Sequence, residues 1–322
     1  MTGVCLDFEN PITDAISRIR FAPQSNNLLI SSWDSSLRLY DVDSFQLRLE
    51  APIEPALLDC CFQTDVVAFT AASDGFIRRC DLHSGINDTF GNHDDIATCL
   101  QYSEETNQLL TAGLDKKIMS WDTRKGNSLV YATTLGAEVE SMSLSGFDLM
   151  VSIGPSVNMY DLRYLARSVQ SSESRMDVQL KCVSSFLYSR GYVVGSIDGR
   201  VAVEMSNPSN SDSTRYMFRC HPKSKDGRYH LVPVNDVVVN PVSHGAFVTG
   251  DGEGYVIAWD AQSRRRIFEL PRLSNTVASL SYNHGGQLLA VASTHTYQQA
   301  TEIEEPPRIF LYKTDEIQQR SA

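Results

Sequence analysis

The chain has 322 residues, of which 42% are hydrophobic, and its formal net charge is -11 at pH 7. This apolar content can fill the core of one large domain or two ordinary ones, and the acidic balance disfavours general nucleic-acid binding, which needs a basic surface. No apolar run approaches the roughly 18 residues that span a bilayer, and the acidic N-terminal segment MTGVCLDFENPITD lacks the apolar core of a signal peptide.

The cysteines and histidines indicate neither a disulfide framework nor a metal site. There are seven cysteines, an odd number, without a C-x-x-C pair, and several lie in apolar alternating runs. Such a set is typical of reduced, buried thiols in an intracellular protein. The histidines are scattered, with no pair at the spacing of zinc ligands. We therefore expect no metal and no other cofactor.

A pattern with a period of about 40 residues repeats along the chain. Each unit starts with small or polar residues, turns at Asp or Gly, continues as an alternating strand and in most cases ends with an aromatic residue and Asp. In chain order the units are SSWDSSLRLYD (31–41), AASDGFIRRCD (71–81), AGLDKKIMSWD (112–122), SIGPSVNMYD (152–161), GSIDGRVAVEM (195–205) and GDGEGYVIAWD (250–260). A last unit, LLAVAS followed by RIFLYKTD, is interrupted by THTYQQATEIEEPP, which gives seven units in all.

Each unit reads as strands. In the first, LLISS, the turn WDSS and LRLYD form a hairpin with period-two alternation, and AASDG and GSIDG contain the Asp-Gly turns typical of hairpins. We predict an all-β fold that forms a single domain over residues 1–322. Polar or Pro-containing loop insertions are expected at about 206–231 and 296–307, where long insertions are more often functional than part of the core.

The third unit has the fullest signature. His93 follows Gly-Asn at its start, Thr111 lies in a strand, Asp115 lies in the turn and Trp121 closes the unit. These positions resemble the WD-repeat family, in which His, Ser or Thr, Asp and Trp form a buried hydrogen-bonded chain within one blade. A buried Asp and a buried Trp N–H both need such partners. A catalytic pair of His93 and Asp115 is the alternative, but no nucleophile is evident nearby.

The resemblance implies a seven-bladed WD-repeat β-propeller. In that family the N-terminal segment often supplies the outer strand of the last blade. Here GVCLDFE, residues 3–9, is expected to pair with the strand RIFLYK. Such closure removes exposed sheet edges and fixes both ends of the ring.

Trp33 is the residue of the first unit that the repeat does not explain. Asp34 precedes Tyr40 by six positions, and Asp115 precedes Trp121 by the same number. Asp34 is therefore read as the turn Asp of its unit. A large ring in a tight turn is hard to bury within its own blade, and an exposed Trp is a good interface anchor. The alternative is that Trp33 packs on the neighbouring blade.

Several segments resemble one family in particular. They are LLISSWDSSLRLYD (28–41), DGRVAVE (198–204), RYMFRCH (215–221) and YHLVPVNDVVVNP (229–241). Together they resemble the mitotic spindle-checkpoint WD-repeat proteins called budding-uninhibited-by-benzimidazole, third member, and their sister family, the messenger-RNA export WD-repeat proteins. The resemblance covers essentially the whole chain. The VAVE and RCH…PVN segments favour the checkpoint family, of which the chain looks like a divergent copy.

The resemblance implies a non-enzymatic adaptor of the spindle assembly checkpoint at kinetochores. That family binds a short acidic peptide, the GLEBS motif of checkpoint kinases and their relatives, across the top face of the propeller. The resemblance implies that Trp33 packs against this peptide and that Arg200 pairs with its glutamates. Arg200 follows Gly199 in a turn, and a guanidinium can hold a carboxylate through two hydrogen bonds. The alternative is that Arg200 is a solvated turn residue.

Two segments depart from the pattern of that family. Where the family has Ser-Trp-Asp in the third unit, this chain has Leu114 before the Asp, so one aromatic contact of the peptide-binding face is lost or replaced by a smaller one. Members that read phosphothreonine in the MELT repeats of the kinetochore scaffold have Arg after a Cys-His pair, where this chain has Pro222. Proline cannot hold a phosphate, and Arg219 or Lys223 would have to substitute at a different spacing. We expect weakened or absent phospho-MELT binding.

Three other functions stay open at this point. The first is a nuclear-pore and mRNA-export adaptor, as in the sister family, whose surface is often more basic. The second is a substrate receptor of a cullin ubiquitin ligase, because WDTRK (121–125) matches a W-D-x-R signature associated with linker binding, with Arg124 as its distinctive residue, and YDLR (160–163) is a near match. The third is an enzyme, for which no nucleophile–base pair, metal cluster or phosphate-binding loop is found, since GDGEG lies in a hairpin turn.

The expected partners are proteins. They are GLEBS-motif checkpoint kinases or kinase-like proteins, the kinetochore scaffold and, in the alternative, a cullin-ligase linker. We expect no membrane and no nucleic acid among the partners, and a monomer that works within a hetero-complex in the nucleus and, in mitosis, at the kinetochore. The cytoplasm stays open as a further location.

Overall fold

The computed structural model describes residues 3–125, 128–173, 176–187, 190–206, 214–220, 224–225, 228–229, 231–243, 245–295 and 305–314. Seven four-stranded antiparallel sheets follow one another in chain order, with one two-stranded hairpin beside them. The first strands of successive sheets contact each other around a central axis, and so do those of the last and first sheets. The sheets are therefore the blades of a propeller, and the predicted all-β, seven-bladed propeller is confirmed.

The strand bounds follow the repeat units. The N-terminal strand is β1 (Val4–Cys5). Blade 1 contains β2 (Ile16–Phe21), β3 (Asn27–Ser32), β4 (Ser36–Asp41) and β5 (Gln46–Pro52). Blade 2 contains β6 (Leu57–Thr64), β7 (Val67–Ala72), β8 (Phe76–Asp81) and β9 (Asn87–Asn92). Blade 3 contains β10 (Ala97–Ser103), β11 (Gln108–Gly113), β12 (Lys117–Asp122) and β13 (Ser128–Thr134).

The remaining blades have the same plan. Blade 4 contains β14 (Val139–Ser145), β15 (Asp148–Ile153), β16 (Ser156–Asp161) and β17 (Gln170–Glu173). Blade 5 contains β18 (Leu180–Ser185), β19 (Arg190–Ser196), β20 (Arg200–Ser206) and β21 (Thr214–Arg219), and the hairpin β22 (Ser224–Lys225) and β23 (Arg228–Tyr229) follows it. Blade 6 contains β24 (Val234–Val239), β25 (Ala246–Asp251), β26 (Val256–Asp260) and β27 (Arg265–Glu269), and blade 7 contains β28 (Thr276–Tyr282), β29 (Leu288–Thr294) and β30 (Arg308–Lys313).

The ring has two distinct faces. The turns between the second and third strands of each blade, such as residues 33–35 of blade 1, lie at one end of the propeller, which we call the top face. The turns between the first and second strands and between the third and fourth strands lie at the opposite end, the bottom face. The links between blades return to the top face.

The N-terminal strand closes the ring, as predicted. Val4 pairs with Leu311 and Cys5 with Phe310, which makes β1 the fourth strand of blade 7. The strand is shorter than the expected 3–9: the Leu6 N–H still donates to the Ile309 carbonyl at 2.9 Å, and the Leu6 side chain is buried in the apolar cluster between blades 7 and 1. The edge of the last blade is therefore covered over a short length only.

The loop expected at 206–231 contains regular structure. Residues 214–219 form β21, the outer strand of blade 5, since TRYMFR alternates and Tyr216 and Phe218 pack against the cluster shared with blade 6. Within the same expected loop lies the β22–β23 hairpin. Residues 207–213, most of 221–230 and 296–304 lie outside the described part of the chain, and these include His221, Pro222 and Lys223.

An apolar cluster fills each of the seven seams between neighbouring blades. In the seam between blades 1 and 2, for example, Leu37 and Leu39 pack with Leu57 and Cys60. A fully buried Leu or Ile contributes roughly 1.5–3 kcal/mol relative to exposure. The blades are thus held face to face by their alternating apolar side chains.

Polar side chains bridge the same seams near the axis. A β-bulge interrupts the pairing near the start of each inner strand, and the residue after the bulge reaches the next blade. These post-bulge residues are Arg18, Asp59, Cys99, Ser141, Cys182, Asp236 and Ser279. Backbone N–H groups of the following blade donate to four of them at 2.8–3.3 Å: Leu100 to Asp59, Val183 to Ser141, Leu280 to Asp236, and Ile19 of blade 1 to Ser279.

The other three seams are bridged from the same position. The Cys99 and Cys182 thiols donate to the carbonyls of Glu140 and Val234, at 3.7 and 3.5 Å. Arg18 Nε lies 3.3 Å from Asp59 Oδ1, and Arg18 Nη1 lies 3.2 Å from Asp236 Oδ2. Burial opposes the charge of Arg18, but the carboxylates of Asp236 and Asp59 outweigh it and raise the pKa of Arg18 above its ordinary value.

Candidate peptide-binding face

The blade 1 turn presents Trp33 on the top face. Trp33 is 38% exposed, and its backbone N–H donates to the Ala15 carbonyl at 2.9 Å. Ser35, which follows Asp34 in the turn, has a φ of 62°, in the left-handed region. The turn is therefore tight, and part of the Trp33 side chain is exposed to solvent.

Asp34 holds this turn in place. Its carboxylate accepts hydrogen bonds from the hydroxyls of Ser32 and Ser36, and Arg38 Nη2 lies 3.0 Å from it. Burial alone would raise the pKa of Asp34, but the bonds from Arg38 and the two serines outweigh it and hold the pKa below its ordinary value. The turn that carries Trp33 thus rests on an ionised, buried carboxylate, which fixes the backbone beneath the ring.

Arg200 lies at the top edge of blade 5 and is paired within its own turn. Its Nε donates to Asp198 Oδ2 at 2.7 Å, and its Nη2 donates to the Met176 carbonyl. The turn is built on Gly199, whose φ is 83° and where a Cβ would lie 2.6 Å from the Val232 carbonyl oxygen. Arg200 is therefore positioned by its neighbours, with its side chain 20% exposed.

Arg219 adds a second guanidinium at the same point. It is the cross-strand partner of Arg200, and its Nη1 donates to the Asp198 carbonyl at 3.0 Å. Hydrogen bonds from Ser196 and ion pairing with Arg200 and Arg219 overcome the effect of burial and hold the pKa of Asp198 below its ordinary value. Two cations thus share one side-chain carboxylate, which leaves a local excess of positive charge at the top of blade 5.

Leu114 occupies the place in blade 3 that Trp33 occupies in blade 1. It is half-buried, and its backbone N–H donates to the Ile96 carbonyl at 2.9 Å. The top face therefore carries an aliphatic side chain at this point. Lys116 follows in the same turn, and Lys117, the first residue of β12, pairs with Asp94.

Behind this turn, His93, Thr111, Asp115 and Trp121 form a continuous chain of hydrogen bonds. His93 Nδ1 lies 3.0 Å from Asp115, His93 Nε2 lies 2.8 Å from Thr111 Oγ1, and Trp121 Nε1 donates to Thr111 Oγ1 at 2.9 Å. With neutral His93 every donor finds an acceptor: Trp121 N–H to Thr111, Thr111 O–H to His93, and His93 N–H to Asp115. The four side chains are thus hydrogen-bonded to one another inside the blade, an arrangement that stabilises it.

Blade 5 departs from this arrangement. Glu204 follows Asp198 by six positions and takes the place that Trp121 has in blade 3. It accepts hydrogen bonds from Tyr192 at 2.7 Å and from Arg215 at 2.6 Å, two residues that flank it in the sheet. The cross-strand pair with Arg215 explains why a carboxylate is tolerated where most blades have an aromatic ring.

Arg124 lies on the bottom face, away from Trp33 and Arg200. It holds Asp122 through Nε and Nη2, each at 3.0 Å, and it is mostly exposed. Arg163 of blade 4 holds Asp161 in the same way and also lies over the Phe147 ring, 4.9 Å from its centroid. Both W-D-x-R-like segments thus present an arginine that is already paired with its own Asp.

One exposed aromatic residue of the top face was not singled out from the sequence. Phe76 begins β8 of blade 2 and is 40% exposed. Its only sequence signal is an aromatic residue directly after an Asp-Gly turn, at the position that Arg200 has in blade 5.

Neither a membrane span nor a metal centre is found within the described ranges. No helix there is long and apolar enough to cross a bilayer. No three His, Cys, Asp or Glu side chains of that part of the chain are grouped so that they could hold an ion.

Comparisons with known proteins agree with the propeller and add a family. The model of the family "WD domain, G-beta repeat" matches residues 5–41 and 86–122. The Arabidopsis thaliana protein "Mitotic checkpoint protein BUB3.3" is 54% identical over 313 residues, which cover 97% of this chain and 100% of that protein. The A. thaliana "Mitotic checkpoint protein BUB3.1" is 37% identical over 319 residues, which cover 97% of this chain and 93% of that protein.

More distant similarities bear on the fold and on the sister family. The Schizosaccharomyces pombe "Poly(A)+ RNA export protein" is 25% identical over 328 residues, which cover 98% of this chain and 92% of that protein. The solved structure entitled "Structure of U3-55K" superposes with a TM-score of 0.82 at 15% identity, and covers 97% of this chain and 98% of that one. At that identity the likeness concerns the fold alone.

Proposed function

Because the chain belongs to the BUB3 family of mitotic checkpoint proteins, we propose that it is a non-enzymatic adaptor of the spindle assembly checkpoint. On this proposal its top face binds the acidic GLEBS-type peptides of checkpoint kinases or kinase-like proteins. It acts in the nucleus and at kinetochores in mitosis, where it supports chromosome alignment and segregation.

The observation that carries the proposal is the exposed Trp33 on a turn fixed from below. Trp33 is 38% exposed, so part of its apolar surface is accessible to a partner. Because Asp34 and its hydrogen bonds hold the backbone, little conformational entropy is lost when a partner packs on the ring. Rigid aromatic residues of this kind are typical anchors of peptide interfaces.

Arg200 and Arg219 supply the charge that an acidic peptide needs. They lie on blade 5, on the far side of the central channel from blade 1, so a peptide that touches both places crosses the top of the ring. Their shared partner Asp198 neutralises one of the two charges. The second guanidinium charge is available to a peptide carboxylate, and hydrogen bonds between such ions are about twice as strong as neutral ones.

A second candidate function is that of a substrate receptor for a cullin ubiquitin ligase. The observation in its favour is the mostly exposed Arg124 on the bottom face, with Arg163 in the same arrangement one blade further on. This face is opposite to Trp33, so the two roles can coexist. Loss of a cullin linker from purified complexes of an Arg124→Ala variant, with the GLEBS-bearing partner retained, would support it.

The proposal is tested by isothermal calorimetry with a synthetic GLEBS-motif peptide. We expect the wild-type chain to bind it and Trp33→Ala to weaken binding by about tenfold or more, with an unchanged thermal unfolding transition. Affinity purification from dividing and from interphase cells gives the second test. Recovery of pore proteins in place of a GLEBS-bearing checkpoint protein would move the assignment to the export family.

A further inference from the structure

Phe76 lies at the top of the seam between blades 1 and 2. Side chains alternate across a strand, and Ile77 packs into the cluster shared with blade 3, whereas Cys80 packs into the cluster shared with blade 1. Phe76 is on the same face of β8 as Cys80, so its ring is directed to the side of blade 1. Blade 1 is the blade that carries Trp33, and Phe76 and Trp33 have nearly equal exposure, 40% and 38%.

The ring of Phe76 is held from behind. The Arg78 guanidinium carbon lies 5.5 Å from its centroid, and Arg78 is itself fixed by Asp74 through hydrogen bonds of 3.2 and 2.5 Å. The Phe76 N–H donates to the same carboxylate at 3.0 Å. A cation over an aromatic face is an attractive contact. It leaves the opposite face of the ring for solvent or a partner, so the side chain is positioned before any partner arrives.

The surroundings of Phe76 suit an apolar group and not a carboxylate. Burial disfavours the charge of Asp74, but hydrogen bonds from Arg78 and from the Phe76 backbone lower its pKa, so Asp74 and Arg78 neutralise each other. On the side of blade 3 the backbone approaches closely, since the Asp95 carbonyl oxygen lies 2.7 Å from the point where a Cβ on Gly75 would be. The carboxylate of Asp94 in the same segment is paired with Lys117. Positive charge in excess is found at blade 5, at Arg200 and Arg219.

We propose that Phe76 is a second aromatic contact of the peptide-binding face. The peptide that packs on Trp33 would place one of its apolar side chains against Phe76. The peptide would then have an apolar end over blades 1 and 2 and an acidic end over blade 5. Phe76 stands two residues after its turn Asp, as Arg200 does in blade 5, so the same position in two blades serves the two ends. This inference rests on the proposed function, and it assigns to blade 2 an aromatic contact where blade 3 offers Leu114.

The test is calorimetry with the synthetic GLEBS-motif peptide and three variants of the whole chain. We expect Phe76→Ala to weaken binding by about fivefold to tenfold. Phe147→Ala is the matched control, because Phe147 is 37% exposed on the bottom face and is stacked by Arg163 as Phe76 is by Arg78. It should leave the affinity unchanged. Trp33→Ala reports on the peptide site as a whole.

A second arm identifies the contact. The apolar residues of the peptide are replaced by alanine one at a time and measured against both the wild type and Phe76→Ala. At one peptide position, the loss of affinity caused by the alanine and the loss caused by Phe76→Ala should be less than additive when both changes are present. That position marks the side chain that touches Phe76. Thermal unfolding of each variant excludes a loss of fold, and Phe76→Tyr, which keeps the ring, should retain binding.

The outcomes separate the two proposals. If Trp33→Ala weakens binding and Phe76→Ala stays within about twofold of the wild type, the inference about Phe76 is wrong and the proposed function stands. If the wild-type chain does not bind the peptide, or if neither Trp33→Ala nor Arg200→Ala changes its affinity, the proposed function and this inference both fail.

Discussion

Arg200 and Arg219 stand opposite each other on neighbouring strands and converge on one residue, Asp198. Arg200 Nε lies 2.7 Å and Arg219 Nη2 lies 3.7 Å from the same carboxylate oxygen. A peptide carboxylate that approaches this edge meets two guanidinium groups whose positions are already fixed. The ordering of these side chains has been completed on folding, so it does not oppose binding.

The first prediction concerns Arg200. Arg200→Ala should cost roughly 2 kcal/mol or more of GLEBS-peptide affinity, because the peptide carboxylates lose a charged donor on a partly desolvated surface. Calorimetry measures the loss, and thermal unfolding shows whether the fold is intact. Arg163→Ala on the bottom face, where the arginine pairs with Asp161 in a similar way, is the control and should bind as the wild type does. An unchanged pull-down of the partner kinase by Arg200→Ala would contradict the assignment.

The second prediction concerns a phosphorylated MELT peptide of the kinetochore scaffold. We expect weak or absent binding, because Pro222 stands where phosphothreonine-reading members have Arg, and Arg219 and Lys223 lie at a different spacing. Calorimetry with the phosphorylated and the unphosphorylated peptide tests this. Pro222→Arg should raise affinity for the phosphorylated form alone. A wild-type affinity as strong as that for the GLEBS peptide would show the prediction to be wrong.

The third prediction concerns the hydrogen-bonded chain of blade 3. Thr111→Val keeps the shape of the side chain but leaves Trp121 N–H and His93 Nε2 without their shared partner. We expect a loss of about 2 kcal/mol in the free energy of unfolding, measured in urea. Thr249→Val in blade 6 removes the corresponding partner of the less buried Trp259 and should cost less. Equal losses at both sites would mean that the His93 bond contributes nothing measurable.

The fourth prediction concerns the post-bulge Arg18. Arg18→Met removes the cation that pairs with Asp59 and Asp236, whose side chains are 1% and 8% exposed. Asp236 then loses this ion pair and Asp59 is left with the more distant Arg20, at 3.7 Å, so the free energy of unfolding should fall by about 3 kcal/mol or more. Arg79→Met, at an exposed position of β8, is the control. A loss under about 1 kcal/mol would place these ion pairs among the many that contribute little.

The fifth prediction concerns pH and Asp41. Hydrogen bonds from Arg48 and from the Ser44 backbone lower the pKa of Asp41 from 3.8 to about 2. A depressed pKa contributes stability that is present above the unfolded value and is lost as pH falls through the folded value. Between about pH 4 and pH 2 the wild type should therefore lose more stability than Asp41→Asn, which does not titrate there.

This difference can be read from urea unfolding curves recorded at several pH values in that window. Asp43→Asn, at an exposed neighbouring position, should follow the wild type. Because Arg48 is largely exposed, 1 M salt should reduce the effect of Asp41. Parallel curves for the wild type and Asp41→Asn would rule out a stabilising role for this carboxylate.

The blades and the turn of Trp33 could be predicted from the sequence because their signals are local. Asp34 lies six residues before Tyr40, and the Asp of the turn accepts bonds from side chains within four positions of it. Alternation and Asp-Gly turns predict hairpins by the same short-range logic. The outer strand β21 was missed because the polar segment around it reads as loop, although its own six residues alternate.

The seam bridges and the role of Glu204 could not be predicted, because their partners are set by the ring. Arg18 and Asp236 are 218 residues apart in the chain, and the bulge that aims them has no sequence signature. The sequence alone shows that Glu204 replaces the aromatic residue found at this position in most of the repeat units. Its bonds to Tyr192 and Arg215 follow only once the strand register is known. The same register places Phe76 on the side of blade 1.

The bridge from Ser279 to the Ile19 N–H has a consequence for how the ring can fail. It joins the last blade to the first in the way that Ser141 joins blade 4 to blade 5. Near the axis of the propeller, the seam between blades 7 and 1 is therefore bridged by the same kind of hydrogen bond as the seams between consecutive blades. Unfolding by heat or force should therefore not start preferentially at the junction of blades 7 and 1, and the seven blades should unfold together in one cooperative transition.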